Sequence, residues 1–474
     1  MKAFVLTPEQ IERIHFASLA ILERTGVHIP HEGMLRRFAD AGAKVDFQTQ
    51  RVRIDGALVQ RCLGTVRKTY TLYGRDLARK AEFGVGKRTY NSIAGEALWI
   101  DAPGQQRRYA TMLDVTKATV FGDALPALTI VGAMTDPQDA DPAWRPVAVL
   151  AEMLRNTTKP VTFWYHDRAS ARFLNEILIA VRGDMKRAEE FPLCYPFLEP
   201  ISPLRFPFHG IDLLYETAKL NLPVPIGPMA QMGVSAPMSL TGTMALENAE
   251  ILAGVCITQL IRPGMPVCYG GICHAFDMRT TQMIFCGPEQ ALFGVAMTQM
   301  GKRYGLPVYI NVGLTDSKRP DAQAGLETGV TLAFGAAAGA DIFGHMGICG
   351  VDQATSLDML VLQHEVIRYV ESCQRELDFS DEAFALDLVH ELGPGGTYID
   401  TDHTAGRFRR ELWFPKLLDR QFFQAWLDQG AISTEQRCAE MKRNLFERHH
   451  PEPIAPELDR EITRIVEAAK RELR

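Results

Sequence analysis

Apolar residues along this chain follow two rhythms in turn. Near the start, Ile11, Ile14, Ala17, Ile21 and Leu22 recur at helical spacing. Thr7 suits the cap of that helix, Pro8 its first turn, and Gly26 ends it. A short helix over residues 32–41 follows, with small strands around Arg51-Val52-Arg53-Ile54 and Tyr70-Thr71-Leu72-Tyr73. Residues 1–87 read as an α+β cap that stands outside the repeat to come.

From residue 88 to residue 375 the chain alternates. Runs rich in β-branched and aromatic residues fall at 89–93, 128–134, 161–165, 193–199, 224–229, 267–271, 308–313 and 340–346. Each is followed by a helical pattern, over 112–125, 146–156, 169–181, 211–221, 240–261, 288–304, 321–338 and 356–374. Ala97-Leu98-Trp99-Ile100 reads as a hairpin inserted after the first strand. Eight strand–helix units imply a parallel sheet with right-handed crossovers, and the number eight predicts closure. The expected fold is an α/β TIM (β/α)8 barrel with an N-terminal α+β cap and a C-terminal helical extension. An open doubly wound sheet is the competing arrangement. The eightfold count, and the lack of a Gly-x-Gly-x-x-Gly turn after the first strand, favour the barrel. Beyond 375 the pattern is helical, near 381–392, 407–429, 434–449 and 456–473. Residues 376–474 are therefore expected to pack on the barrel or on another subunit.

Composition narrows the function. The net charge is −6 and no basic run occurs, which argues against nucleic acid as the main partner. The nine cysteines are odd in number and several lie in apolar segments, so reduced buried thiols are expected and a disulfide scaffold is not. The first residues lack a signal-peptide pattern and no unbroken apolar run reaches membrane-spanning length, so the chain is expected to be cytoplasmic and free of the membrane.

A barrel builds its site just past the ends of its strands. That rule selects Tyr90 and Asn91, then Met134, Thr135 and Asp136, then Tyr165 and His166, then Phe197 and Glu199. It continues with Met229 and Gln231, Tyr269, Gly271 and His274, Asn311, Thr315, Asp316 and Lys318, and His345. Phe163, Trp164, Tyr165, Tyr195, Phe197, Tyr269 and Phe343 add aromatic faces. Such faces suit a quaternary ammonium group, which donates no hydrogen bond and is held by cation–π attraction. Alternation along the strands turns about half of them away from the interior. Cys268, Cys273 and His274, or His345 with Cys349, could ligate zinc, yet no Cys-x-x-Cys or His-x-x-x-His pair lies in the barrel, and no bound metal is expected. The glycines flanking His345 would let a large group approach the backbone, and the Gly344–Gly350 turn could cradle a phosphate.

Several short segments, in order, resemble the trimethylamine methyltransferase superfamily. They include Leu6-Thr7-Pro8-Glu9-Gln10-Ile11-Glu12-Arg13-Ile14-His15, Ala236-Pro237-Met238-Ser239-Leu240-Thr241-Gly242 and Asn248-Ala249-Glu250-Ile251-Leu252-Ala253-Gly254. Others are Thr315-Asp316-Ser317-Lys318, Asp321-Ala322-Gln323-Ala324-Gly325-Leu326-Glu327 and Glu391-Leu392-Gly393-Pro394-Gly395-Gly396. The resemblance implies a TIM barrel that moves a methyl group from a methylated amine to the cobalt(I) corrinoid of a small partner protein. The chain uses only the twenty standard residues, so it resembles the members without pyrrolysine, which act on quaternary amines such as glycine betaine. On that reading His345 and Asp316 are the expected catalytic residues. Tyr90, Tyr165, Phe197, Glu199, Gln231, Tyr269, His274 and Asn311 are expected to hold substrate, and Gly344, His345 and Gly347 to face the corrinoid. Two other classes stay open: a betaine-binding barrel without turnover, and a metal-dependent barrel lyase or hydrolase. A homo-oligomer is expected.

Overall fold

In the computed structural model, which describes residues 1–473, the alternating region forms a curled parallel sheet wrapped by helices. Five strands are continuous neighbours, in the order Val224–Ile226, Val267–Gly271, Val308–Ile310, Ile342–Met346 and Thr89–Ser92. All are buried along their length, as parallel strands covered on both faces must be. Parallel contacts run on from both edges. Asn91 pairs with Ile130, Val131–Gly132 pairs with Val161–Thr162, and at the opposite edge Leu198 pairs with Ile226.

The fourth expected strand, 193–199, makes only that single bridge. Pro196 interrupts it and Pro192 and Pro200 flank it, and a proline nitrogen cannot join the ladder. The second and third strands shrink to two residues each. Gly132 shows why the second is tight: a Cβ there would stand 2.0 Å from the Ile93 carbonyl oxygen.

The inner cluster contains Ile130, Tyr195, Cys268, Tyr309 and Ile342 from the strands. Tyr70, Leu72 and Phe83 of the antiparallel hairpin Tyr70–Tyr73/Lys80–Phe83 plug its amino-terminal end, with Tyr70 stacked on Phe83 at 4.4 Å. Tyr90, Val267, Tyr269, Val308, Ile310 and Phe343 belong to the other layer, between strands and helices. The helix Leu240–Ile261 is long and apolar enough to cross a bilayer, and 83% of its apolar window is buried within the protein. Its Glu247 accepts hydrogen bonds from the backbone nitrogens of Ala230 (3.1 Å), Ile272 (2.7 Å) and Cys273 (2.8 Å). One buried carboxylate thus ties together the ends of two neighbouring strands.

Three features escape the periodic reading. A small sheet of Gln231–Met232, His274–Asp277 and Gln282–Ile284 lies over the carboxyl ends of the strands. In the cap, the helix Gly56–Thr65 and the strands Lys44–Asp46 and Lys80–Phe83 appear where no element is expected. The helix expected over 407–429 splits into Asp402–Glu411 and Phe423–Asp428, with Pro415 in the gap. Residues 377–427 leave many large apolar side chains exposed, Phe379 at 73% and Phe422 at 91% among them. The later helices Thr434–Arg448 and Pro456–Glu472 do pack back, the second through Ile462, Ile465, Val466 and Ala469.

Candidate active site

At the carboxyl ends of the strands a cavity of about 620 Å³ is lined by Trp164, Tyr165, Phe197, Glu199, Met229 and Gln231 with their neighbours. The Trp164 indole N–H donates to the Gly95 carbonyl at 2.7 Å, which fixes the ring across the first strand's exit. Phe197 meets Trp164 edge-on at 6.3 Å and Tyr309 edge-on at 5.5 Å. Tyr309 in turn meets His345 at 5.7 Å. A line of rings therefore runs from the rim into the interior. Tyr165 stacks on Phe163 at 5.0 Å and its hydroxyl lies 3.2 Å from the Cys194 sulfur.

Below the rim stands a polar floor. His274 is fully buried, stacked on Phe285 at 4.8 Å, with Nε2 3.4 Å from Asn311 Nδ2. His345 is 7% exposed. Burial pushes the His274 imidazole down to about 3, helped by the nearby His345, and burial alone takes His345 to about 4. Both rings are neutral at neutral pH, each with one donor and one acceptor nitrogen. The Nδ1 atoms of both, with Oδ1 of Asn91 and of Asn311, have no hydrogen-bond partner among the described residues. Buried polar atoms normally find partners, so four orphans in one place mark a site. His345 reaches this floor because its φ of 71° and a register shift between Phe343 and Met346 break the alternation of its strand.

Around the rim are three carboxylates with no counter-ion. Glu96, Glu199 and Asp352 make no salt bridge and accept no side-chain hydrogen bond from any described residue. Burial and the Asp352 charge push Glu199 up to about 7. Burial, then Asp352, Glu199 and Asp136, push Glu96 up to about 9. Burial alone takes Asp352 to about 6. Asp136 differs: burial opposes its ionisation, but His166 at 3.4 Å and Arg145 at 2.6 Å outweigh it and hold the carboxyl below its usual value. The arrangement sets acidic side chains near aromatic faces at the carboxyl ends of the strands.

The expected residues divide clearly. Tyr165, Phe197, Glu199 and Gln231 line the cavity, and His274, Asn311 and His345 lie together deeper in the interior, outside that lining. Tyr90 does not join them: it stacks on Phe343 at 5.1 Å and donates to Glu371 in the outer layer. Tyr269 also faces outward, its hydroxyl donating to Asn248 Oδ1 at 2.9 Å. Strand alternation is the cause in both cases. Asp316 accepts from the backbone nitrogens of Phe285 (2.9 Å) and Cys286 (3.1 Å), so it braces the turn behind His274. The two glycines serve packing: a Cβ on Gly344 would stand 1.7 Å from the Tyr309 hydroxyl, and one on Gly347 2.2 Å from Met134 Cε. Cys268, Cys273 and His274 point to different neighbours, Tyr70, Glu247 and Asn311 respectively, and among the described residues no three metal-ligating side chains gather. Glu96 and Asp352 were not selected by the strand-end rule. Glu96 is displaced from its strand by an extra turn, and Asp352 sits on the turn after Cys349, where periodicity carries no signal.

The model of the family described as trimethylamine methyltransferase (MTTB) matches residues 2–474. The chain is 29% identical to trimethylamine methyltransferase MttB of Desulfitobacterium hafniense (strain DSM 10664 / DCB-2), over 98% of this chain and 93% of that protein. It is 28% identical to glycine betaine methyltransferase of Desulfitobacterium hafniense (strain Y51), over 97% of this chain and 95% of that protein. Its fold is similar to the crystal structure of the Methanosarcina barkeri monomethylamine methyltransferase MtmB, with a TM-score of 0.50 at 11% identity, covering 98% of this chain and 92% of that one.

Proposed function

This chain belongs to the trimethylamine methyltransferase family, and we propose that within it the protein takes a methyl group from a quaternary amine, glycine betaine or a related betaine, and passes it to the cobalt(I) corrinoid of a partner protein. The observation that carries the cationic substrate is the acidic rim, Glu199 and Asp352 without a counter-ion, beside the Trp164–Phe197 rings; Glu96, pushed up to about 9, is neutral at neutral pH and adds no charge. Two ionised carboxylates close together in a partly buried site repel each other. A cation between them reverses that sign, and aromatic faces add about 1–2 kcal/mol when water is excluded.

The floor supports a polar far end on the substrate. Neutral His274 and His345 each offer a donor, and Asn311 stands beside them, so a betaine carboxylate seated there leaves its ammonium group at the rim. The corrinoid supplies the nucleophile. The protein's own residues hold the N–CH3 bond in one direction and keep water out, while the electron pair of the broken bond stays on nitrogen and the neutral tertiary amine departs. A quaternary amine needs no proton donor for that step, which agrees with a floor of neutral imidazoles. His345, at the junction of rings and floor, is the residue we assign nearest the methyl path, and Asp316 acts by bracing the His274 turn.

For the fold, the single bridges at Asn91–Ile130 and Leu198–Ile226 support reading the curled sheet as a closed (β/α)8 barrel over residues 88–375, with 1–87 as cap and 376–474 as helical extension. The apolar side chains exposed over 377–427 support a homo-oligomer, and we take the protein to act in the cytoplasm. Mixing the purified protein with a cobalt(I) corrinoid and a panel of betaines tests the central reading, with methylated corrinoid followed by absorbance. Failure with every betaine overturns it, and methyl transfer from trimethylamine alone would replace the quaternary amine with a tertiary one. Binding of a betaine without methyl transfer would instead assign the protein as a non-catalytic binder.

A further inference from the structure

A second cavity, of about 580 Å³, opens beside the first and differs from it in charge. Arg107, Lys318, Arg319 and Gln353 line it, with Cys349 and the Gly350 backbone. Arg319 is committed to Glu435, bidentate, with contacts of 2.7 and 2.8 Å. The other two cations are not: among the described residues, Arg107 and Lys318 have no carboxylate partner. Arg107 donates to the Gln353 side-chain oxygen at 2.7 Å, and Lys318 to the Asp316 backbone oxygen at 2.8 Å. These bonds hold both head groups in place without neutralising them. Both side chains line the same cavity as the buried Cys349.

Neither cation is paired with a nearby acid. Glu435 is taken by Arg319 and the Asp316 carboxylate by two backbone nitrogens, and Asp352 makes no ion pair with Arg107 or Lys318. The wall between the cavities is the turn Gly350-Val351-Asp352, whose successive φ values are 66°, 62° and 59°. A β-branched valine in the left-handed region is a strained choice, and such choices persist where the surroundings enforce them. The strain lets neighbouring residues serve opposite sides: Asp352 acts on the first cavity and Gln353 lines the second.

We infer that the second cavity is a binding site for an oxyanion, a phosphate or carboxylate group, gripped by Arg107 and Lys318. Guanidinium and ammonium groups held apart in this way match an acceptor with several oxygens. Calorimetric titration of the full chain with inorganic phosphate and with succinate, against sodium chloride at matched ionic strength, tests the site. Saturable binding is expected for at least one of the two, weakened at least tenfold in the Arg107→Gln/Lys318→Gln double variant. Tighter phosphate assigns a phosphate group, and tighter succinate a carboxylate. Tetramethylammonium binding should stay within twofold in the same variant, which also shows that it is folded. If neither anion exceeds chloride, or if the double variant binds as well as the parent, the inference is overturned, whatever the outcome for methyl transfer.

Discussion

The two cavities on the carboxyl face have nearly equal volumes, about 620 and 580 Å³, and opposite chemistry. The first combines aromatic faces with carboxylates that have no counter-ion; the second has cations held by neutral oxygens and almost no ring. Neither difference is needed for folding. The rim carboxyls are held above their usual values, and Arg107 and Lys318 are exposed cations without a carboxylate partner, so each cavity offers its groups to a ligand of the opposite charge. The sharpest test is charge reversal at the rim. Glu199→Lys is expected to weaken tetramethylammonium and betaine binding at least a hundredfold and to leave phosphate binding unchanged, both read by calorimetry. Loss of both together would mean that the cavities are one site.

The next effect separates rings from charge. Trp164→Ala removes the face fixed by the Gly95 carbonyl. A cation–π contact shielded from water contributes about 1–2 kcal/mol, so cation affinity should fall about tenfold. If affinity holds while Glu199→Lys abolishes it, the carboxylates alone select the substrate and the rings are packing. His345→Ala probes the floor in the same way. It should lower the methyl-transfer rate more than tenfold with only a small change in melting temperature, and equal losses of rate and stability would give His345 a purely structural role.

The pH response follows from the rim. Glu199 sits at about 7 and Asp352 at about 6, both above ordinary carboxyl values, so the empty folded state holds protons that the unfolded chain releases. Stability from these groups is therefore present at low pH and is lost as pH rises through 6 and 7. Cation binding runs the other way: affinity should rise severalfold between pH 5.5 and 8 as the rim ionises. Glu199 is open to the cavity, so solvent discounts the stability term to about 1 kcal/mol or less. Glu199→Gln should accordingly raise the melting temperature slightly at pH 8 and not at pH 5, while flattening the pH dependence of binding. A wild-type affinity that falls with rising pH would remove the carboxylates from the site.

The periodic core was legible before any coordinates. The helix Leu240–Ile261 and the strand Val267–Gly271 lie where apolar spacing puts them, because burial on both faces writes a continuous signal. Position past a strand end selected Phe197, Glu199 and Gln231, which line the cavity, and His274, Asn311 and His345, which lie together in the interior. It failed for Tyr90 and Tyr269, since which of two adjacent residues faces inward depends on register and not on residue type. It also missed Glu96 and Asp352, whose importance rests on proximity between distant loops. The strand-end rule also selected Lys318, which lines the basic cavity and not the first one. A residue just past a strand can turn to either side of the wall beside it.

That wall carries the smallest expected effect and the most informative one. Gln353 holds Arg107 on one side, while the adjacent Asp352 acts on the first cavity from the other. Gln353→Ala removes one charge-assisted hydrogen bond near the surface, about 1 kcal/mol or somewhat more. If the turn is rigid, phosphate binding should weaken about threefold and cation binding should not move. If the turn transmits, both should weaken together, and adding phosphate to the parent protein should shift its tetramethylammonium affinity by the same factor that tetramethylammonium shifts its phosphate affinity, since coupling between two binding sites is reciprocal. Three successive left-handed residues favour the rigid outcome, because a turn already held in a sparsely populated conformation has few neighbouring states to move into.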